Sequence, residues 1–129
     1  MNTEQAHGKH IFLDFTGYEP QVENDGQWML DVLEQAVEQS DARNVHAHAV
    51  QFDGSVSPVG FAAVVLLDES HVSAHCYSDK GWLAIDCFTC GDSDPAVIAD
   101  FIQNHLEATM PHLILKRRTV ENRFFHDGV

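Results

Sequence analysis

Phe61-Ala-Ala-Val-Val-Leu-Leu67 is the longest uninterrupted apolar run in the chain, and Asp68-Glu-Ser-His-Val-Ser-Ala-His-Cys76 follows it directly. The run, within Val59 to Leu67, reads as a strand at the centre of a sheet or buried on both faces. A strand that only has to turn needs turn residues after it, and serine alone would serve. Glu69-Ser70-His71, with His75 shortly after, carries more chemistry than a turn requires, which makes Ser70 a candidate reactive residue.

The neighbouring segments set the fold. His71 to Tyr77 alternates weakly, Ser78-Asp79-Lys80-Gly81 has turn composition, and Trp82 to Thr89 returns as a hairpin partner. Upstream, Asn44 to Phe52 (NVHAHAVQF) reads as a strand and Gly54 to Pro58 as a loop. In Asp25 to Gln39, Met29, Leu30, Leu33, Ala36 and Val37 recur at helical spacing, leaving Asp31, Glu34, Gln35 and Glu38 on the solvent face. His10 to Phe15, closed by Thr16-Gly17, is a first strand. Downstream, Asp94 with Pro95 behind it provides an N-cap and first helical residue. The helix they open places Val97, Ile98, Phe101, Ile102 and Leu106 on one face, and His112 to Val120 forms a last strand before a frayed tail. The order β-α-β-β-β-β-α-β, with short connections in the middle, predicts an α+β two-layer sandwich: a mainly antiparallel sheet with two helices on one face.

With 129 residues the chain fits a single domain, 1–129, with one core. The N-terminal MNTEQAHGKH has no signal-peptide character, and a seven-residue apolar run falls far short of the roughly 20 residues a membrane helix needs, so a cytoplasmic protein is expected. Twenty acidic against seven basic residues give a net charge of −13, which disfavours nucleic acid and anionic membranes and suits a small cationic ligand. Three cysteines, an odd number, fit reduced thiols.

Three motifs compete. Cys87-Phe-Thr-Cys90 has CxxC spacing, but on a strand the two side chains point to opposite faces, and no second pair exists. Cys90, at a strand end beside Gly91, is placed like a single functional thiol, whereas Cys76 and Cys87 read as core residues. His46, His48, His71 and His75 could bind zinc or copper, yet His71 and His75 lie about 13 Å apart on an unbulged strand, so no metal is expected. A Ser-His-Asp hydrolase lacks its GxSxG elbow, and His71 faces away from Ser70.

The apolar strand, Glu69-Ser70-His71, His75 five residues after the serine, and Asp86-Cys87-Phe88-Thr89-Cys90-Gly91 together resemble the prokaryotic S-adenosylmethionine decarboxylase family. The likeness runs from Gly8-Lys9-His10 into the second helix. It implies a proenzyme that cuts itself between Glu69 and Ser70 into a β chain (1–69) and an α chain (70–129), with His75 assisting. Ser70 would become a pyruvoyl group that forms a Schiff base with the substrate and accepts electrons from the departing carboxylate without pyridoxal phosphate or metal. Cys90 would donate the proton, and Phe52, Glu69, Tyr77 and Asp79 would line the substrate site. The family also implies homodimers of αβ units with sites at the interface, and a role in polyamine (spermidine) biosynthesis.

The chain departs from the family pattern in places. Ala62-Ala63 stands where a small hydroxyl residue eight positions before the serine aids cleavage, leaving Ser73 as an alternative hydroxyl. Cys76-Tyr77-Ser78-Asp79 replaces Thr-Trp-Pro-Glu, and the loop Asp53 to Gly60 is long. S-adenosylmethionine is the leading substrate. L-arginine or L-ornithine, and an unprocessed regulatory paralogue, are the alternatives.

Overall fold

The structure, a computed structural model, describes residues 5–128. Eight elements follow in the order β1 (Gln5–Thr16), α1 (Asp25–Glu38), β2 (His46–Phe52), β3 (Gly60–Leu66), β4 (His71–Tyr77), β5 (Trp82–Cys90), α2 (Pro95–Thr109) and β6 (Ile114–His126). The strands form one antiparallel sheet in the order β2-β3-β4-β5-β1-β6. Hairpins link β2 through β5, the first by the long loop after Phe52, while α1 carries the chain from β1 to the far edge and α2 carries it past β1 to the other edge. This is the expected sandwich.

Alternation along each strand assigns the two faces. Ile11, Leu13 and Phe15 of β1, Leu83, Ile85 and Cys87 of β5, Val72, Ala74 and Cys76 of β4, and Phe61, Ala63 and Val65 of β3 point to one side. There they join Met29, Leu33, Ala36 and Val37 of α1 and Ile98, Ile102 and Leu106 of α2 in a single core. The start of α2 follows local chemistry, the Asp94 carboxylate accepting from the Ala96 N–H at 2.9 Å with Pro95 behind it, whereas Asn24 ahead of α1 makes no side-chain cap.

Five expectations are corrected. Of the two readings of β3, an interior position between β2 and β4 holds and burial on both faces does not: Phe61, Ala63 and Val65 are buried, but Ala62 and Val64 are half-buried and Leu66 is exposed, because both helices lie on one side of the sheet. The tail is not frayed but continues β6 to His126, because β1 starts at Gln5 and offers partners as far as Gln5↔His126. In α2, Val97 is exposed and Phe101 only half-buried, the core face being made by Pro95, Ile98, Ala99, Ile102 and Leu106. β5 includes Cys90, and β2 begins at His46 rather than Asn44.

A polar knot ties the layers where α1 meets the sheet. Asp25, 2% exposed, accepts from the Tyr18 hydroxyl at 2.9 Å, the Ser78 hydroxyl at 2.7 Å and the Gln51 amide at 2.6 Å. The Gln51 carbonyl in turn accepts from the Gly26 N–H at 2.8 Å. Burial and the neighbouring Asp25 push the Tyr18 hydroxyl far above its usual titration range, so it remains a donor. Asp25→Ala strands three donors at once; we expect it to cost about 3 kcal/mol or more, read as a lower urea midpoint at unchanged slope.

Candidate active site

The sheet face opposite the helices carries the polar and aromatic chemistry. Cross-strand register puts His10, Phe12 and Asp14 of β1, Asp86, Phe88 and Cys90 of β5, and His71, Ser73 and His75 of β4 on this side. Among the described residues no helix covers it.

Glu69 and Ser70 lie in the β3–β4 hairpin, which is closed by the Leu67 N–H donating to the Ser70 carbonyl at 2.9 Å. Arg43 forms an ion pair with Asp68 across this turn. The Cys90 thiol donates to the Glu69 main-chain carbonyl at 3.4 Å. Cys90 is 8% exposed and opposes Gly8 on β1, where an added Cβ would lie 3.4 Å from its sulfur and 3.0 Å from the Thr89 carbonyl oxygen. Gly8 thus leaves room for the thiol. Glu69, Ser70, Cys90, Thr89 and Ser93 border one small cavity of about 120 Å3.

Cys87 points the other way, into the core, and burial raises its thiol to about 12. Cys76 is a core residue too, raised to about 12 by burial. Neither competes with Cys90, as the opposite-face reading of the CxxC required.

Next to this group, His10 Nε2 lies 3.1 Å from Asp86 Oδ1, and Arg123 Nη1 lies 3.4 Å from His10 Nδ1. An arginine can only donate, so Arg123 is placed to donate toward His10 Nδ1 while Nε2 faces the Asp86 carboxylate. His71 packs edge-on to His10, with ring centroids 5.9 Å apart, and against Phe88 at 5.4 Å. Desolvation chiefly, then the His10 and Arg123 charges, lower its pKa, partly offset by Asp86. The native state therefore binds fewer protons at His71 than the unfolded chain does. Its contribution to stability is complete above pH ~6.5 and is lost as pH falls through the lowered native value. We expect His71→Phe to flatten the fall in melting temperature between pH 7 and 5.

The other expected site residues lie elsewhere. His75 is exposed, opposite Ala62 and Ala84, and five residues at ~3.3 Å each put it about 16 Å along the strand from Ser70. Phe52 and Tyr77 gather around it with Pro58 at a cavity of about 230 Å3. Asp79 is exposed in the following turn. Ser73 faces Asp86 from a position three residues, about 10 Å, beyond Ser70. One chain therefore brings together Glu69, Ser70 and Cys90 but not His75, Phe52, Tyr77 or Asp79. His46 and His48 sit on edge strand β2, separated by β3 from His71 and His75, and among the described residues no three His, Cys, Asp or Glu side chains are placed to share a metal. Sequence reasoning missed the His10–Asp86 contact and Ser93. A pair 76 residues apart has no local signal, and Ser93 looks like any residue ahead of a helix cap.

A family model described as S-adenosylmethionine decarboxylase matches residues 9–119. An S-adenosylmethionine decarboxylase proenzyme of Symbiobacterium thermophilum is 39% identical over 99 residues, 76% of this chain and 72% of that protein. A second, proenzyme 2 of Bacillus cereus, is 35% identical over 107 residues, covering 82% and 84%. The crystal structure of the adenosylmethionine decarboxylase from Aquifex aeolicus VF5 matches with a TM-score of 0.71 at 26% identity, over 97% of this chain and 93% of that one.

Proposed function

The chain belongs to the S-adenosylmethionine decarboxylase family of pyruvoyl-dependent decarboxylases, and from that premise we propose that it cuts itself between Glu69 and Ser70 and decarboxylates S-adenosylmethionine in polyamine biosynthesis. The observation that carries the reading is the contact of the Cys90 thiol with the Glu69 carbonyl, which joins the expected scission point to the expected proton donor across 21 residues.

The cleavage chemistry needs little apparatus. The Ser70 hydroxyl oxygen adds to the Glu69 carbonyl carbon, the amide C–N bond breaks as its nitrogen takes up a proton, and an ester links the two parts. Loss of the Ser70 Cα proton with scission of the Cβ–O bond then frees Glu69 as a carboxylate. Water hydrolyses the remaining enamine, through its imine form, to a ketone, releasing ammonia. A tight hairpin suits the first step, since it holds Ser70 and Glu69 at an outward bend bordered by open volume. The residues present fit the group that results: when formed, the pyruvoyl ketone beside an amide carbonyl supplies the electron sink that decarboxylation requires. Cys90 holds its thiol at its edge, against the Glu69 carbonyl, where the substrate carbon must receive a proton.

His75 takes part from a second copy. About 16 Å separates it from Ser70 along one strand, whereas the open face, with exposed Leu66, Tyr77 and Trp82, offers a surface for another chain. Ala62 lies opposite His75, so the position of the missing hydroxyl belongs to the same distant group. In this homodimer of αβ units, His75, Phe52 and Tyr77 of one chain complete the site around Ser70 of the other. Co-expressed His75→Ala and Ser70→Ala chains are then expected to restore scission of the His75→Ala chain, as read by mass.

The decisive experiment is the intact mass of freshly purified protein under denaturing conditions. Two fragments divided at Glu69/Ser70 are expected, the second lighter by the mass of ammonia than simple hydrolysis would make it. A single full-length mass that persists on incubation overturns self-processing. Release of CO2 from L-arginine or L-ornithine but not from S-adenosylmethionine would overturn the substrate alone.

A further inference from the structure

We propose that the Ser93 hydroxyl is the donor that stabilises the charge developing on the Glu69 carbonyl oxygen during self-cleavage; this rests on the self-processing reading above. Ser93 lies between β5 and α2, one residue before the Asp94 cap. It borders the same small cavity as Glu69, Ser70 and Cys90. Its carbonyl is fixed by the Thr89 hydroxyl at 2.9 Å, which ties its backbone to the end of β5. Among the described residues, its hydroxyl is the one buried side-chain polar atom without a hydrogen-bond partner.

Buried polar groups are nearly always paired, and an unpaired one at a reactive site calls for an explanation. A hydroxyl waiting for a charge that appears only in the transition state meets that description, because such preorganised donors are aimed at where charge develops rather than at the ground state. The donor seen on that oxygen is the Cys90 thiol, and S–H is a weak donor. When the Ser70 oxygen adds to Glu69, the carbonyl π electrons move onto the carbonyl oxygen. That oxyanion needs a stronger partner than a thiol until the C–N bond breaks and the electrons return.

The position also answers a question raised by the sequence. Ala62 supplies no hydroxyl, and Ser73, the other candidate, stands about 10 Å along β4 from Ser70. Ser93 borders the cavity at the scissile bond within the same chain.

The test follows the rate at which newly made full-length chain becomes two fragments, by intact mass, in wild type and in Ser93→Ala, Ser93→Cys and Ser93→Thr. Loss of the hydroxyl in Ala and Cys is expected to slow scission by on the order of 100-fold, and Thr, which keeps it, to restore most of the rate. Stability is compared in chains made uncleavable by Ser70→Ala, with and without Ser93→Ala. Because the hydroxyl is unpaired before cleavage, its removal is expected to leave the melting temperature unchanged or raise it by about 2–5 °C. Scission of Ser93→Ala at the wild-type rate overturns the assignment, as does slowing accompanied by a lowered melting temperature, which would mark a structural role. A wild-type chain that never cuts overturns the self-processing reading itself, and this inference with it.

Discussion

Ser70→Ala is expected to remain at its full-length mass indefinitely and to lose decarboxylation entirely, a fall on the order of 10^6-fold to the background of the uncatalysed reaction. Cleavage needs an oxygen on the Cβ of residue 70: without it no ester forms, and the chain acquires no electron sink. The substitution costs little elsewhere. Ser70 is half-buried, and the bond that closes its hairpin runs from the Leu67 N–H to its main-chain carbonyl, which alanine keeps. A melting temperature close to that of the uncut wild-type chain is therefore expected, within the roughly 0.5 kcal/mol typical of surface substitutions. Two fragments from Ser70→Ala, or undiminished CO2 release, would remove Ser70 from the mechanism.

Cys90→Ala separates the two reactions. The thiol is a weak donor to the Glu69 carbonyl, so scission is expected to continue within about 10-fold of the wild-type rate. Decarboxylation per cut chain is expected to fall by 10^2- to 10^4-fold, the usual contribution of a positioned proton donor. The measurement is CO2 released from carboxyl-labelled S-adenosylmethionine, divided by the cut fraction from intact mass. Undiminished turnover would assign the proton to another group. Cys87→Ala is the contrasting control: its thiol is fully buried among core residues on the helix side, so the change is expected to lower stability rather than the rate per folded, cut chain.

Asp25, Ser93 and Cys90 have distinct energetic roles. Asp25 satisfies three donors and holds α1 to the sheet, so it serves the fold. The Ser93 hydroxyl satisfies nothing in the uncut chain. Cys90 makes one weak bond, to the carbonyl at which the chain is proposed to break.

Much of this protein was legible in its sequence because the relevant physics is local. Apolar spacing and one unbroken apolar run pointed to six strands and both helices, and Asp94-Pro95 marked the start of α2 because a carboxylate and a fixed φ act over three residues. Alternation alone separated Cys87 from Cys90. The resemblance in Glu69-Ser70-His71 and the Cys90 segment pointed to the chemistry. Tertiary structure decided which of these residues meet. The sheet order, with β1 inserted between β5 and β6, set Gly8 beside Cys90, extended the supposed tail as a strand, and left β3 open on one face. It also placed Ser93 at the Glu69–Ser70 cavity and His75 about 16 Å away. Periodicity states which face a side chain takes but carries no information on which strand lies next to it; that is fixed by how two helices and six strands close one core, a property of the whole chain.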